Sequence, residues 1–237
     1  RSIAHNILTV YDPNEKMMML SKNVANDGGQ RAPVNGGEAA NMEQWMNPEY
    51  TVGEVLGHEF GPDPVTPDYT YLKGDITKAY TSKVDEVLRS MLFLPLDDEA
   101  HPGVMLVMDK VTAADASFKK SFLLHVQEEP TVNGNRTVIE RTEKDYNGRL
   151  VVDTLLPKAD NTAIEKIGGE GKECWIDGKN YGATKPFSKS TDQEGQGWGR
   201  IEISPKKAAK TDYFLQVMSV SDAGGVVSDL DSTLIEG

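Results

Sequence analysis

Three apolar stretches near the middle of the chain decide the fold. They read SMLFLP at residues 90–95, GVMLVMDKV at 103–111 and SFLLHVQ at 121–127. Each stretch is short, rich in strand-favouring residues and bounded by residues that form turns. Three such runs in succession predict an antiparallel meander whose middle strand is covered on both faces.

Similar short runs lie on both sides of this centre. The pattern predicts further strands at residues 7–11, 52–60, 69–75, 137–141, 149–156, 174–177, 199–204 and 213–220. Residues 17–20 fit a short strand or one helical turn, and residues 79–87 favour a strand over a short helix. Asn133-Gly134-Asn135, Asn147-Gly148 and Asp177-Gly178 contain the dipeptides that tight hairpins prefer.

Many short strands, few helical periods and no fixed repeat predict an all-β fold. The expected architecture is a large antiparallel β-sandwich of stacked sheets with few short helices. One domain spanning residues 1–237 is the simplest organisation. A subdivision near Pro130 or after Pro157 stays open, although neither place has the composition of a linker.

The charge balance narrows the possible partners. A formal net charge of -12 argues against a surface that grips nucleic acid or an anionic membrane. It leaves room for an anionic ligand, because a local cleft can carry the opposite sign from the whole molecule.

The single cysteine, Cys174, excludes an intramolecular disulfide and is expected to be a small buried side chain. The sequence opens on Arg1 as if within a folded region, so we expect a piece of a larger protein.

The histidines are the main candidates for chemistry. His5, His58 and the loop carboxylate Asp27 are an N/O ligand set suited to zinc, although ordinary hydrogen-bonded polar residues are the alternative. His101 is expected to be a solvated loop residue, and His125 a strand histidine satisfied by its neighbours. Acidic pairs such as Glu128-Glu129 indicate solvated surface more than a glycosidase acid and base.

Several motifs, in their order along the chain, resemble the central and C-terminal β region of heparinase II/III-like polysaccharide lyases. The motifs are Ile3-Ala4-His5-Asn6, Val10-Tyr11-Asp12-Pro13, Asn26-Asp27-Gly28-Gly29-Gln30-Arg31, Gly57-His58-Glu59-Phe60, Tyr69-Thr70-Tyr71-Leu72-Lys73-Gly74-Asp75, Phe122-Leu123-Leu124-His125, Glu128-Glu129-Pro130 and Trp198-Gly199-Arg200-Ile201-Glu202-Ile203-Ser204-Pro205. The likeness extends over almost the whole chain. The order of the motifs is more specific than any one of them.

This resemblance implies a secreted or periplasmic bacterial enzyme. Such lyases place a helical toroid before stacked antiparallel sheets and cut acidic polysaccharides, of the heparin or heparan sulfate type or related ones, by β-elimination beside a uronic acid. The reaction needs the uronate carboxylate neutralised, a base for the C5 proton and an acid for the leaving oxygen. In relatives the toroid supplies much of this chemistry. The present chain therefore carries no assigned catalytic residue and is expected to be inactive alone.

The resemblance also implies a structural zinc ion, or another divalent ion, in the β region. His5, Asp27 and His58 match the His, Asp and His ligands of the family in order and approximate separation. A catalytic role for His5 is the open alternative, and the metal would then need another ligand. The expected metal pins the Asp27 loop, so that Asn6, Gln30 and Arg31 face the substrate.

Two other function classes remain open at this stage. A sandwich fold also permits a non-catalytic carbohydrate-binding module. This alternative would be favoured if one exposed face carried the three tryptophans, Trp45, Trp175 and Trp198. A purely structural scaffold would bind neither metal nor sugar. The sequence itself does not name the polysaccharide, because loop shape and groups outside this chain determine selectivity.

Overall fold

Two antiparallel sheets make up most of the molecule. A computed structural model describes residues 2–19, 22–30, 40–143, 145–181, 197–224 and 229–235. Within these ranges one sheet has four strands and the other has eight, and two small two-stranded hairpins accompany them. The predicted all-β sandwich is therefore confirmed.

The strands are numbered in chain order. Their bounds are β1 Leu8–Tyr11, β2 Met17–Met19, β3 Lys22–Val24, β4 Glu54–Gly61, β5 Tyr69–Asp75, β6 Val84–Pro95, β7 Gly103–Ala113, β8 Lys119–Val126, β9 Thr131–Asn133, β10 Arg136–Arg141, β11 Gly148–Leu156, β12 Thr162–Gly168, β13 Trp175–Ile176, β14 Lys179–Asn180, β15 Gly199–Pro205 and β16 Thr211–Ser221. The helices are α1 (Met42–Trp45) and the 3-10 turns Ser2–Ala4, Pro48–Tyr50, Thr77–Ala79 and Ala159–Asn161. No helix of the described ranges is long and apolar enough to cross a membrane.

The core lies between the two large sheets. The four-stranded sheet has the order β1-β8-β15-β12, and the eight-stranded sheet has the order β4-β5-β6-β7-β16-β11-β10-β9. Fully buried side chains from both sheets meet in one cluster, which includes Val10 and Ile201 from the first sheet and Val111 and Phe214 from the second. Burying these apolar surfaces supplies the main drive for folding.

Alternation along each strand determines which side chains face away from this core. In β15, Ile201 and Ile203 point inward and are 0% exposed, so Arg200 and Glu202 lie on the opposite face of the four-stranded sheet. In β8, Phe122 and Leu124 point inward in the same way, which puts His125 on that outer face. His125, Arg200 and Glu202 therefore share one surface.

The predicted three-stranded meander is wrong in its last step. β6 pairs with β7 as expected, but β8 crosses to the other sheet and pairs with β1 and β15. The other neighbour of β7 is β16, near the end of the chain. The middle strand is not covered on both faces either, because Met108 on its outward side is 42% exposed.

Two of the three predicted hairpin turns are tight. Gly134 and Asn135 link β9 to β10, and Gly134 has a φ of 59°. Asp177 and Gly178 link β13 to β14 with φ values of 47° and 78°, which is the pattern of a type I′ turn. Asn147-Gly148 is different, because residues 142–147 separate β10 from β11 in a longer connection.

Candidate functional site

The outer face of the four-stranded sheet carries a cavity of about 290 Å³. Its polar lining includes His125 and Gln127 at the end of β8 and Arg200 on β15, directly opposite His125 in the strand register. The carboxylate of Glu173 also lines it. The N-terminal turn and the β13–β14 hairpin close it with Ile3, Ala4, Cys174 and Ile176. We call this space the His125 cavity.

Arg200 is held firmly in the wall of this cavity. The residue is 5% exposed, and its Nε lies 2.9 Å from Oε1 of Glu202. A second guanidinium nitrogen lies 2.8 Å from the same oxygen. Glu202 is also 3.7 Å from the ammonium of Lys119. The guanidinium is thus fixed at the cavity wall with a planar set of donors suited to a carboxylate or sulfate.

Asn6 orients the imidazole of His125. The side-chain oxygen of Asn6 accepts a hydrogen bond from the backbone N–H of His125 at 2.8 Å, and it lies 3.3 Å from Nδ1 of the same residue. His125 is therefore a strand histidine with hydrogen-bonding neighbours, as predicted. It also lines a cavity, which was not predicted. Asn6 was predicted to contact substrate directly, and that role stays a prediction.

The imidazole of His125 should titrate below 6.5 in the folded protein. Burial is the main cause that lowers its pKa from 6.5, and the positive charges of Arg200 and His5 lower it further. As the pH falls below 6.5, His125 therefore takes up a proton more readily in the unfolded chain than in the folded protein. The free energy of unfolding should decrease over this pH range for that reason. An NMR titration of the ring C–H signals measures the midpoint.

Substitution Arg200→Gln should move this midpoint upward, because it removes a positive charge beside the ring. The control is Lys110→Gln, which removes an equal charge from β7 in the other sheet. A midpoint above 6.5 in the unmodified protein would contradict the environment described for His125.

The loop that carries Asp27 and Gln30 is fixed by hydrogen bonds. Asp27 Oδ1 accepts from the N–H of Gly29 at 3.0 Å, and the N–H of Gln30 donates to Oγ of Ser2 at 2.9 Å. Gly28 has a φ of 68° and lies so close to the β1 backbone that a Cβ would come within 3.1 Å of Val10. Glycine is thus required at position 28 by this close approach.

Asp27 is 8% exposed and lines a second cavity of about 200 Å³ on the same face. Arg200, Ile3 and Ile176 border both cavities, so the two are neighbours. Lys119, Asp177 and Glu202 are further charged residues in the wall of the second one. Asp27 therefore lines this face, and Asn6 contacts His125 of the first cavity. Gln30 lines neither cavity, and its side chain hydrogen-bonds the buried hydroxyl of Tyr80, so its predicted contact with substrate stays a prediction. Arg31, the last predicted substrate contact, lies outside the described residues.

The buried side chain of Lys83 ties this loop to the eight-stranded sheet. Its ammonium donates to the carbonyl oxygen of Gly29 at 2.7 Å and to Oε2 of Glu15 at 2.7 Å. Glu15 Oε1 in turn accepts from the hydroxyl of Thr81 at 2.6 Å. Burial lowers the pKa of Lys83, while Glu15 opposes this effect. No feature of the sequence marked Lys83 as different from the surface lysines.

The three predicted zinc ligands are distributed over separate elements. His5 follows the 3-10 turn before β1, and Asp27 lies in the loop just described. His58 is an exposed residue of β4, the edge strand of the eight-stranded sheet, where it pairs with Leu72. Among the described residues no group of three or more His, Cys, Asp or Glu side chains is placed to hold a metal ion. Zinc binding thus stays a prediction that rests on the resemblance.

The other predicted histidine role needs correction. His101 was expected to be solvated, but it is 5% exposed, with Nδ1 3.3 Å from Oδ2 of Asp98. The turn after β6 buries the ring of His101, and Asp98 is its hydrogen-bond partner. His101 nevertheless does not line either cavity of the outer face.

Comparisons with known proteins add no family assignment. No family model matches this sequence. A search of curated proteins likewise finds no match at a significant level.

Proposed function

We propose that this chain is the β-sandwich part of a polysaccharide lyase that cleaves uronic-acid-containing polysaccharides by β-elimination. The observation that supports the proposal most is the His125 cavity, where an imidazole and a guanidinium immobilised by Glu202 line the same wall. The order of the family-like motifs supports it independently, because the Asn6 and Asp27 motifs converge on that same face.

Each residue has a specific part in this proposal. Arg200 binds the uronate carboxylate or a neighbouring sulfate, which offsets negative charge as the C5 proton leaves. Gln127 donates a neutral hydrogen bond to the same sugar, and Asn6 keeps His125 in one orientation at the cavity wall. The base and the acid belong to a helical toroid that precedes this region, as in the lyases that the sequence resembles.

An assay for the elimination product tests whether the base and the acid lie outside residues 1–237. Heparin-type, chondroitin-type and alginate-type chains are mixed with the purified chain, and the ultraviolet absorbance of an unsaturated uronate is followed. We expect no product from residues 1–237 alone. Appreciable turnover would contradict the assignment of the base and acid to another domain.

The positive arm adds the natural sequence that precedes Arg1. We expect unsaturated product from at least one of the three polysaccharides, and a loss of about ten- to a hundredfold in kcat/KM for Arg200→Gln, because a charge-assisted hydrogen bond is removed. Absence of product from all three substrates would overturn the lyase proposal. Zinc analysis beside His5→Ala and His58→Ala tests the metal separately, and equal zinc content in all forms would remove that site.

A non-catalytic carbohydrate-binding module is the second candidate. Trp45 is 59% exposed and contacts the ring of Tyr50 at 6.0 Å between centroids, as a sugar-stacking residue could. Trp198 does not fit this role, because it packs against the core and over Gly168. The three tryptophans therefore do not form one exposed platform. Sugar binding without elimination by the longer protein would favour this alternative.

A further inference from the structure

The β13–β14 hairpin is a rigid element at the rim of the His125 cavity. Besides its type I′ turn, the N–H of Tyr181 donates to the carbonyl oxygen of Cys174 at 3.0 Å. The side-chain oxygen of Asn180 accepts from the N–H of Cys174 at 2.9 Å, and its amide group donates to Glu173 at 2.9 Å. These bonds fix the side chains of the hairpin relative to the cavity.

The strand register places Lys179 and Tyr181 on the cavity side. Ile176 pairs with Lys179, and the bond between Tyr181 and Cys174 continues the ladder by two residues. Directly opposed residues of an antiparallel pair point to the same face. Lys179 and Tyr181 therefore lie on the same face of the hairpin as Cys174 and Ile176, which line the cavity.

Lys179 and Tyr181 form an exposed pair of a cation and an aromatic ring. The ammonium lies 5.0 Å from the centre of the tyrosine ring, and the residue Tyr181 is 44% exposed. Lys179 has no carboxylate partner among the described residues. Lys166 provides the contrast, because its ammonium lies over Trp198 but is 2.6 Å from Oε1 of Glu129.

Two acidic residues lie within the described residues 173–181, Glu173 and Asp177, and Glu173 also lines the His125 cavity. The carboxylate of Glu173 is occupied by Asn180 and by the N–H of Gly171 at 3.0 Å. Asp177 occupies the hairpin turn and borders the second cavity. Within the described part of the hairpin, Lys179 is thus a cation that a ligand leaving the His125 cavity along this face would meet.

We propose that Lys179 and Tyr181 bind a second acidic sugar unit of the chain whose neighbouring unit occupies the His125 cavity. The tyrosine ring stacks on the apolar face of the sugar, and the ammonium pairs with its carboxylate or sulfate. This inference rests on the proposed function, since it takes an acidic polysaccharide as the ligand. It adds a subsite and a preference for charge at that position.

The test measures binding of hexasaccharides from heparin, chondroitin and alginate to the purified chain by calorimetry, with maltohexaose as the neutral probe. For the acidic probe that binds most tightly, Lys179→Gln and Tyr181→Ala should each raise Kd by roughly five- to tenfold. The matched control is Lys172→Gln. Lys172 lies in the turn before the hairpin, over the ring of Trp175 at 5.7 Å, and Trp175 faces away from the cavity-lining side. Its Kd should change by less than about twofold.

The outcomes separate the two proposals. Tight binding of an acidic probe with equal Kd in Lys179→Gln, Tyr181→Ala and the parent would overturn the subsite and leave the lyase proposal standing. Equal affinity for maltohexaose would overturn the role of the positive charge. No binding of any acidic probe would count against the acidic polysaccharide itself, and the subsite would fall with it. Circular dichroism of each variant verifies that the fold is retained.

Discussion

Replacing Lys83 with methionine should lower the free energy of unfolding by about 3–5 kcal/mol, because it leaves a buried carboxylate without its cation. The side chain of Lys83 is 0% exposed and that of its partner Glu15 is 6% exposed. The substitution also removes the donor to the carbonyl oxygen of Gly29. Urea unfolding followed by fluorescence measures the change.

The matched control is Lys78→Met. Lys78 is an exposed residue of the 3-10 turn just before Lys83, so the same chemical change should alter the unfolding free energy by no more than about 0.5 kcal/mol. Hydrogen exchange should report faster exchange at Gly29 and Gln30 in Lys83→Met, since their loop loses its attachment to the sheet. Equal stability of the Lys83 and Lys78 variants would show that the buried pair contributes nothing.

This attachment links stability to the candidate site. The segment before β4 carries Asn6, Asp27 and Gln30, yet its own strands β1, β2 and β3 are short. The segment gains its fixed position from buried polar contacts with the eight-stranded sheet. The Tyr80 hydroxyl, for example, donates to the carbonyl oxygen of Leu8 at 2.7 Å. Contacts from the eight-stranded sheet side of the molecule thus hold the segment that borders the cavities of the four-stranded sheet.

Local sequence patterns predicted most strands because each strand buries its own apolar face. β5 matches the predicted residues 69–75, and β7, β11 and β15 match within a few residues at each end. β12 was missed, because Thr162–Gly168 is an edge strand with a weak apolar alternation. The sheet to which β8 belongs could not be predicted, since pairing with β15 depends on a contact between distant segments.

The candidate site was predicted in part for the same reason. The Asn26–Gln30 motif stood out because two consecutive glycines and a loop carboxylate are recognisable in sequence. The pairing of His125 with Arg200 was not predicted, although a polar residue within the apolar run 121–127 and another beside Ile201 were the available signals. Only the strand register makes those two residues neighbours.

Replacing Asp109 with alanine should also destabilise the protein by about 3–5 kcal/mol, because the guanidinium of Arg89 would lose its buried partner. Asp109 is 0% exposed. Its two oxygens accept from Nε and from a terminal nitrogen of Arg89 at 2.7 and 3.0 Å. Arg89 also donates to the carbonyl oxygen of Asn6 at 3.0 Å, so the effect extends to the cavity wall. Urea unfolding of the variant and its parent measures the loss.

The double variant Arg89→Met with Asp109→Leu should recover much of this loss, because apolar residues of similar volume remove both buried charges together. It cannot recover the bond to Asn6, so NMR signals of Asn6 and His125 should still shift while stability returns. This difference separates the energetic contribution of the ion pair from its positional role. A double variant as unstable as Asp109→Ala would mean that packing around Phe122, whose ring lies 5.6 Å from the guanidinium, determines stability in place of charge pairing.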